Sequence, residues 1–355
     1  MNKIKSALIH LVKKSYVMGV LYYALNTAKV VFDKTRTARN ATFGLGGGKS
    51  LISTFFDALY CRIKYGTKWQ DYEQFEFYKK SPYFRKQYLL ANDVIKLDHW
   101  LKSTLTHPIS DNKIQEYRLY HNFINRSWIE VSKNSNFFEV EDFVKKNNQV
   151  IAKPNFGAHG HGVFVIKDGD VDSMEKLKKL SKSVEYVVEE IESNCDEINA
   201  INSTSLNTIR CYTLIEKSGN IRIMEVFLRA GVEGQIVDNW GAGGVSYRFD
   251  VKTGVCIQPG KDKFGKQYVL HPGTNFQMVG FKIPMYDQLL DYITELCGIE
   301  PSAKYVGWDI AITPKGFDLI EMNCPGGHYL LQLFDNPWGD IIKNNIDFRR
   351  EYIEK

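Results

Sequence analysis

The stretch Tyr305–Gly327, YVGWDIAITPKGFDLIEMNCPGG, decides how the rest of the chain is read. Tyr305 to Ile312 is rich in strand formers, Pro314-Lys315-Gly316 carries turn chemistry, and Phe317 to Met322 reads as the returning strand of a hairpin. With a three-residue loop, Asp309 falls directly opposite Glu321. Glu321 and Asn323, two residues apart, share one face. An even-length loop would turn Asp309 to the other face. Three such hard oxygens suit Mg²⁺ held together with phosphate oxygens. The plain alternative is a sheet edge with its charges in water. Against it, Glu321 and Asn323 flank Met322 in a segment that reads as buried, and a buried carboxylate needs a partner.

The remaining composition is permissive. A chain of 355 residues has room for two or three domains, and its apolar and charged fractions are those of a soluble globular protein. The net charge of +5 is mild and gives no reason to expect a nucleic-acid partner. Six cysteines are scattered, with no CxxC pair and no Cys/His cluster at zinc spacing. They read as reduced thiols of a cytoplasmic protein, Cys324 among them as a packed thiol.

Residues 1–40 read as basic helix, with an apolar run, Tyr16 to Ala24, too short to span a bilayer. Two readings stay open: a helix docked on the protein, or one lying on the anionic inner face of a membrane. Residues 41–50, ATFGLGGGKS, imitate a phosphate loop, but Phe43 stands where the Walker pattern needs glycine, so the segment reads as a linker. Residues 51–104 suggest helices over Leu51–Tyr65, Trp69–Lys79 and Pro82–Asn92 with aromatics as core. Ser110-Asp111 then caps a helix carrying Lys113 in its first turn.

A second informative segment is Asn148–Lys167, NQVIAKPNFGAHGHGVFVIK. A short strand ends at Lys153-Pro154. A glycine-rich loop follows from Gly157 to Gly162, and Val163 to Ile166 returns. Such a loop lets backbone N–H groups approach phosphate oxygens, while the lysine supplies a point charge. His159 and His161 have no third ligand near them in sequence. Further on come a strand ending in Glu189-Glu190-Ile191, then Glu197, a strand Asn207–Ile215 carrying Arg210, and a Gly219-Asn220 hairpin returning over Ile221–Leu228. A strand or two over Phe249–Ile257, a basic loop with Lys261, Lys263 and Lys266, and an amphipathic helix over Pro284–Cys297 lead back to the opening hairpin.

This order resembles the ATP-grasp superfamily, and within it the sugar-transfer-associated group of capsule and exopolysaccharide biosynthesis. The resemblance rests on Asn207-Thr208-Ile209-Arg210, His271-Pro272-Gly273 with Gly280-Phe281-Lys282-Ile283-Pro284, and Val306-Gly307-Trp308-Asp309 with Glu321-Met322-Asn323. It spans residues 106–330. It implies an α+β fold in which two α+β subdomains clamp ATP, here 106–200 (small, lid-bearing) and 201–355 (large), behind a helical region 1–105.

By this resemblance Lys153 reaches the α-phosphate. Gly157, His159, Gly160 and Gly162 form the cover over the β- and γ-phosphates. Glu189, Glu190 and Ile191 form the hinge at the adenine edge, and Glu197 takes the ribose hydroxyls. Asp309, Glu321 and Asn323 hold two Mg²⁺ ions. Lys113 is a further nucleotide-side lysine, and Lys261 or Lys263 reaches the γ-phosphate. Many relatives carry arginine two residues before the first metal aspartate. Here Gly307 stands there, and Arg210 on the neighbouring strand is expected to supply the catalytic positive charge. The usual α/β substrate domain is not evident.

The implied activity is ATP-dependent carboxylate–amine ligation through an acylphosphate, with a cell-surface saccharide or its sugar precursor as the setting. A kinase-like phosphoryl transferase and a non-catalytic scaffold in polysaccharide assembly are the alternatives. The acid, the amine and the oligomeric state are not legible in the sequence.

Overall fold

The computed structural model describes residues 28–33, 51–109, 111–157, 161–232 and 243–348. Of the basic helix expected over 1–40, residues 28–33 are described and are helical; the expected linker 41–50 lies outside the described residues. The chain divides into two compact units.

The first unit holds the described residues up to Asp93 together with Asp335–Asp340. It is helical, with α1 (Leu51–Tyr65), α2 (Trp69–Gln74), a 3₁₀ turn over Phe77–Lys79, and α3 (Pro82–Lys86). Its expected aromatic core is present: Tyr72, Phe75, Phe77 and Tyr88 are buried. The helix expected over Pro82–Asn92 stops at Lys86, and α4 (Ala91–Thr104) starts anew. Local acids explain the break. Asp93 accepts from the Leu90 N–H at 3.3 Å, and buried Asp71 accepts from the Ala91 N–H at 3.3 Å, so the second helix has its own N-terminal partners.

The second unit, Val94–Phe334 with the described residues from Ile341, holds two antiparallel sheets. It opens with α5 (Lys113–Leu119). The cap of α5 is Asn112 rather than Ser110-Asp111. Asn112 Oδ1 accepts from the Gln115 N–H at 3.1 Å, whereas Asp111 sits at φ 59°, outside helical geometry. The first sheet pairs β1 (Trp128–Val131), β2 (Gln149–Pro154), β3 (Phe164–Lys167) and β4 (Tyr186–Glu190) in the order β1-β4-β2-β3. Two amphipathic helices, α6 (Phe137–Asn147) and α7 (Val171–Leu180), cover it with Val140, Val144 and Leu177 against Val150, Ile166 and Val188. After the short helix α8 (Asp196–Asn199), the second sheet runs β11-β10-β5-β6-β7-β8-β9.

That sheet is formed by β5 (Thr208–Ile215), β6 (Ile221–Ala230), β7 (Val245–Phe249), β8 (Gly260–Lys261), β9 (Gln267–Tyr268), β10 (Tyr305–Thr313) and β11 (Gly316–Asn323). The strand expected over Phe249–Ile257 falls earlier, at β7. Asp250 accepts from the N–H groups of Lys252 and Thr253 at 3.1 and 2.9 Å, closing a turn there. Helix α9 (Tyr286–Ile299) packs Leu289, Ile293 and Leu296 into the core of this sheet.

The β10–β11 hairpin has a two-residue turn, Pro314-Lys315, because Thr313 pairs with Gly316. That even loop alone would set Asp309 opposite Ile320. Instead the register shifts by one between Asp309 and Ile310, so Leu319 faces Ile310 while Glu321 faces Asp309. Ile320 is the extra residue of a β-bulge. The Asp309–Glu321 pairing therefore arises by a route other than the expected three-residue loop.

All six cysteines are free thiols. Among the described residues no helix is long and apolar enough to cross a membrane.

Candidate active site

β5 and β10 are buried along their whole lengths and pair antiparallel, with Arg210 opposite Asp309 and Tyr212 opposite Gly307. Asp309 therefore meets Arg210 across one edge of β10 and Glu321 across the other. Arg210 Nε and Nη2 donate to its two oxygens at 2.5 and 2.6 Å. Arg229 Nη2, from β6, lies 3.2 Å from Oδ2, and Asn323 Nδ2 donates to Oδ2 at 3.3 Å. Burial raises the Asp309 carboxyl, but the charges of Arg210 and Arg229 outweigh it and hold the group below its ordinary range, hence ionised.

Trp308, one residue earlier, faces the core and donates Nε1 to Thr213 Oγ1 at 2.9 Å. Gly307, opposite Tyr212, carries no side chain. A Cβ there would lie 3.4 Å from Arg210 Cδ and Nη1, so the Arg210 side chain already fills that space.

A cavity of about 460 Å³ lies between the two sheets. Its walls include Lys113 from α5, Ile151 and Lys153 from β2, Glu189 and Glu190 from β4, Arg229 from β6, and Asp309, Ile320 and Glu321 from the hairpin. The bulge matters here, since it presents both Ile320 and Glu321 to the cavity. Lys113 Nζ donates to the Gly157 carbonyl at 3.0 Å and lies 3.5 Å from Glu321 Oε1. Gly157 lines the cavity at φ 138°, and Gly162 sits at φ 77° with no room for a Cβ beside Pro154 Cγ. His159 and Gly160 lie outside the described residues.

Lys153 is held by Glu189, whose carboxylate also takes Tyr117 Oη and, at 3.0 Å, Arg126 Nε. Burial raises the Glu189 carboxyl, yet Arg126 and Lys153 bring it down to about 2. Glu189 thus aims Lys153, and its own side chain is committed to that network. Glu190 turns its carboxylate to Ser127 and Lys315. Ile191 lines the cavity and is exposed.

Three expected residues, Glu197, Lys261 and Arg210, are not in the cavity wall. Glu197 projects outward from α8 and is exposed. Lys261 donates to the Leu333 carbonyl at 3.1 Å and lies over the Phe334 ring. Arg210 lies beneath Asp309 and is likewise not in the wall, which Arg229 reaches instead.

A second cavity, about 370 Å³, shares Lys113, Glu116, Gly157 and Glu321 with the first. Glu116 is 5% exposed, and its Oε1 accepts from the Met322 N–H at 2.6 Å. Burial and the neighbouring Glu321 charge push its carboxyl up to about 8; positive charge placed beside it would reverse that shift.

Glu116, Glu192 and Arg229 escape a reading of the sequence. Glu192 lines the first cavity, and burial raises its carboxyl. The one available signal concerns Arg229, which continues the returning strand past Leu228 and pairs with Thr208.

The donor types are those a hard divalent cation takes, with both Asp309 oxygens engaged here by Arg210, Arg229 and Asn323. Asp309 is ionised, Glu321 faces it in register, and Asn323 uses its Nδ2 internally, leaving Oδ1 as an acceptor.

Residues 99–337, which include every strand of both sheets, match the family described as sugar-transfer associated ATP-grasp. No curated protein matches the chain. Among solved structures it is similar to the ADP complex of purK, N5-carboxyaminoimidazole ribonucleotide synthetase, at 11% identity, with 62% of this chain and 46% of that one covered and a TM-score of 0.41. It is also similar to D-alanyl-alanine synthetase A from Vibrio cholerae O1 biovar eltor (11%, 67% and 60%, 0.42). A third is the VanG D-Ala:D-Ser ligase from Enterococcus faecalis (12%, 67% and 61%, 0.43). The chain spans only 46 to 61% of the length of these three. The match to residues 99–337 covers most of the sequence, and the chain belongs to the sugar-transfer associated ATP-grasp family.

Proposed function

We propose that the protein is an ATP-dependent carboxylate–amine ligase that joins an amino acid to a uronic acid or amino sugar of a cell-surface polysaccharide or its precursor. The observation that carries this reading is the first cavity. Its wall sets the cations Lys113, Arg126, Lys153 and Arg229 alongside the Asp309/Glu321 pair. That is the charge pattern a triphosphate requires.

In this reading the substrate carboxylate attacks the γ-phosphorus of ATP, ADP leaves, and an amine opens the acylphosphate to an amide with release of phosphate. Lys153, held by Glu189, meets phosphate charge as a fixed point charge, and Lys113 does so from the other wall. Arg229 faces the transferring end, and Arg210 fixes Asp309 from behind. Asp309, Glu321 and Asn323 would hold Mg²⁺, which supplies charge neutralisation between phosphates. The Gly157–Gly162 loop covers the phosphates and keeps water from the acylphosphate. We place the reaction in the cytoplasm.

The test is a product assay of the full chain with pooled amino acids and amino or uronic sugars. ADP and phosphate released only when an acid and an amine are both present support the ligase. A phosphorylated product, or no dependence on the pair, sinks it.

A further inference from the structure

We propose that the second cavity is the amine-acceptor pocket, and that it selects a primary amine carrying no free carboxylate. The inference deepens the ligase reading and rests on it.

Position comes first. The two cavities share Lys113, Glu116, Gly157 and Glu321, the residues at the proposed phosphate end. A molecule in the second cavity would present its reacting group where an acylphosphate forms. The pocket's 370 Å³ suits one small molecule.

Charge comes second. Four carboxyl groups line it, Asp98, Asp111, Glu116 and Glu321. Lys113 is the one lysine in the wall, and Asp98 and Asp111 share Lys102, at 3.2 and 3.0 Å. With Glu116 protonated until a cation sits beside it, three anions, Asp98, Asp111 and Glu321, meet two cations in the empty pocket. An ammonium is favoured there, and the carboxylate of a free amino acid is repelled.

Glu116 gives the pocket a directed group. It is nine-tenths buried, and Oε1 alone is engaged, by the Met322 N–H. Oε2 takes no hydrogen bond from any described residue and is left to the cavities that Glu116 lines. Ammonium donating to Oε2 would satisfy both groups. Val94, Ile95 and Pro325 give the lining an apolar surface for the amine's carbon skeleton. The acid activated by ATP is then the separate partner, and the new amide lies on the amine-bearing molecule.

The test is calorimetric binding to the full chain, with and without Mg²⁺ and a non-hydrolysable ATP analogue. The probes are glucosamine and ethanolamine against glycine and alanine. The two plain amines should bind at least tenfold more tightly than the two zwitterions. Asp98→Asn, which lines the second cavity alone, should weaken the amines tenfold or more and leave the nucleotide affinity within twofold. Glu116→Gln should weaken the amines at least as much. Equal binding of glycine and glucosamine, no amine binding in either state, or an Asp98→Asn protein with unchanged amine affinity overturns the proposal. Amine binding as expected but without amide in the product assay leaves the pocket standing and removes the ligase reading.

Discussion

Asp309 and Glu321 face each other across one ladder, yet the protein uses them differently. Asp309 is wholly buried and balances two arginines, so removing its charge strands Arg210 in the core. Breaking a buried pair from one side costs about 3–5 kcal/mol. Glu321 has a side chain 41% exposed, and Lys113 near it is itself at a cavity wall. Asp309→Asn should therefore lose both activity and stability, read as a lower denaturation midpoint. Glu321→Gln should lose activity at least a hundredfold and keep its stability within about 0.5 kcal/mol. Equal denaturation midpoints for the two variants would refute the division of roles. Glu189 makes a pH prediction. Its carboxyl drops from an ordinary 4.5 to about 2 in the folded protein, where Arg126 and Lys153 overcome its burial. The folded state therefore binds the proton less readily than the unfolded chain. The resulting stability is fully present above 4.5 and is lost as pH falls through 2. Urea unfolding should show wild type losing stability across that window, with a flatter slope in Glu189→Gln.

At the scale of elements, the bulge in β11 does what loop length was expected to do. It restores Asp309 to Glu321 after an even turn and turns Ile320 into the cavity as well. Ile320 adds to the aliphatic surface that Ile151, Val163, Val165 and Ile191 give the same wall. Ile320→Ala should raise KM for ATP several-fold and leave kcat near wild type, because the loss falls on ground-state and transition-state binding alike. A fall in kcat with KM unchanged would mean that the bulge serves chemistry rather than binding. The hairpin and the Arg210 strand were legible in sequence because strand-forming residues and turn residues are local signals. The bulge was not, since one extra residue in a strand leaves no local mark. β1 has four residues, only the last buried, so it shows little alternation. The resemblance implied Glu197 for the ribose, but α8 begins at Asp196 and leaves that residue exposed, while Glu192 remains in the wall. Glu116 and Arg126 owe their character to burial and distant partners, which no sequence window contains.

At the scale of the whole second unit, two sheets with separate cores share one cavity between them. The small sheet contributes Lys153, Glu189 and Glu190. The large sheet contributes Arg229, Asp309 and Glu321. Direct links between the sheets include Lys315, at the hairpin turn, with Glu190 at 3.3 Å, and Arg126 with Glu189 at 3.0 Å and Asp318 at 2.9 Å. The cavity walls set Lys113, Lys153 and Arg229, from three elements, beside acids that pair with them, Glu321, Glu189 and Asp309. In the proposed reading a triphosphate with Mg²⁺ adds contacts to cations on both sides of the cavity at once, so its binding should stabilise both sheets together. A ligand at a hundred times its Kd adds about 2.7 kcal/mol to the state that binds it. For a unit of this size each kcal/mol moves the midpoint by about 2–4 °C. A non-hydrolysable ATP analogue with Mg²⁺ should therefore raise Tm by about 5–10 °C. The analogue without Mg²⁺ should do less, and Lys153→Ala should abolish most of the shift. Hydrogen exchange should slow in β2, β4, β10 and β11 in the same titration. Protection confined to one sheet would show that the nucleotide does not span the cavity, and the clamp would have to be abandoned.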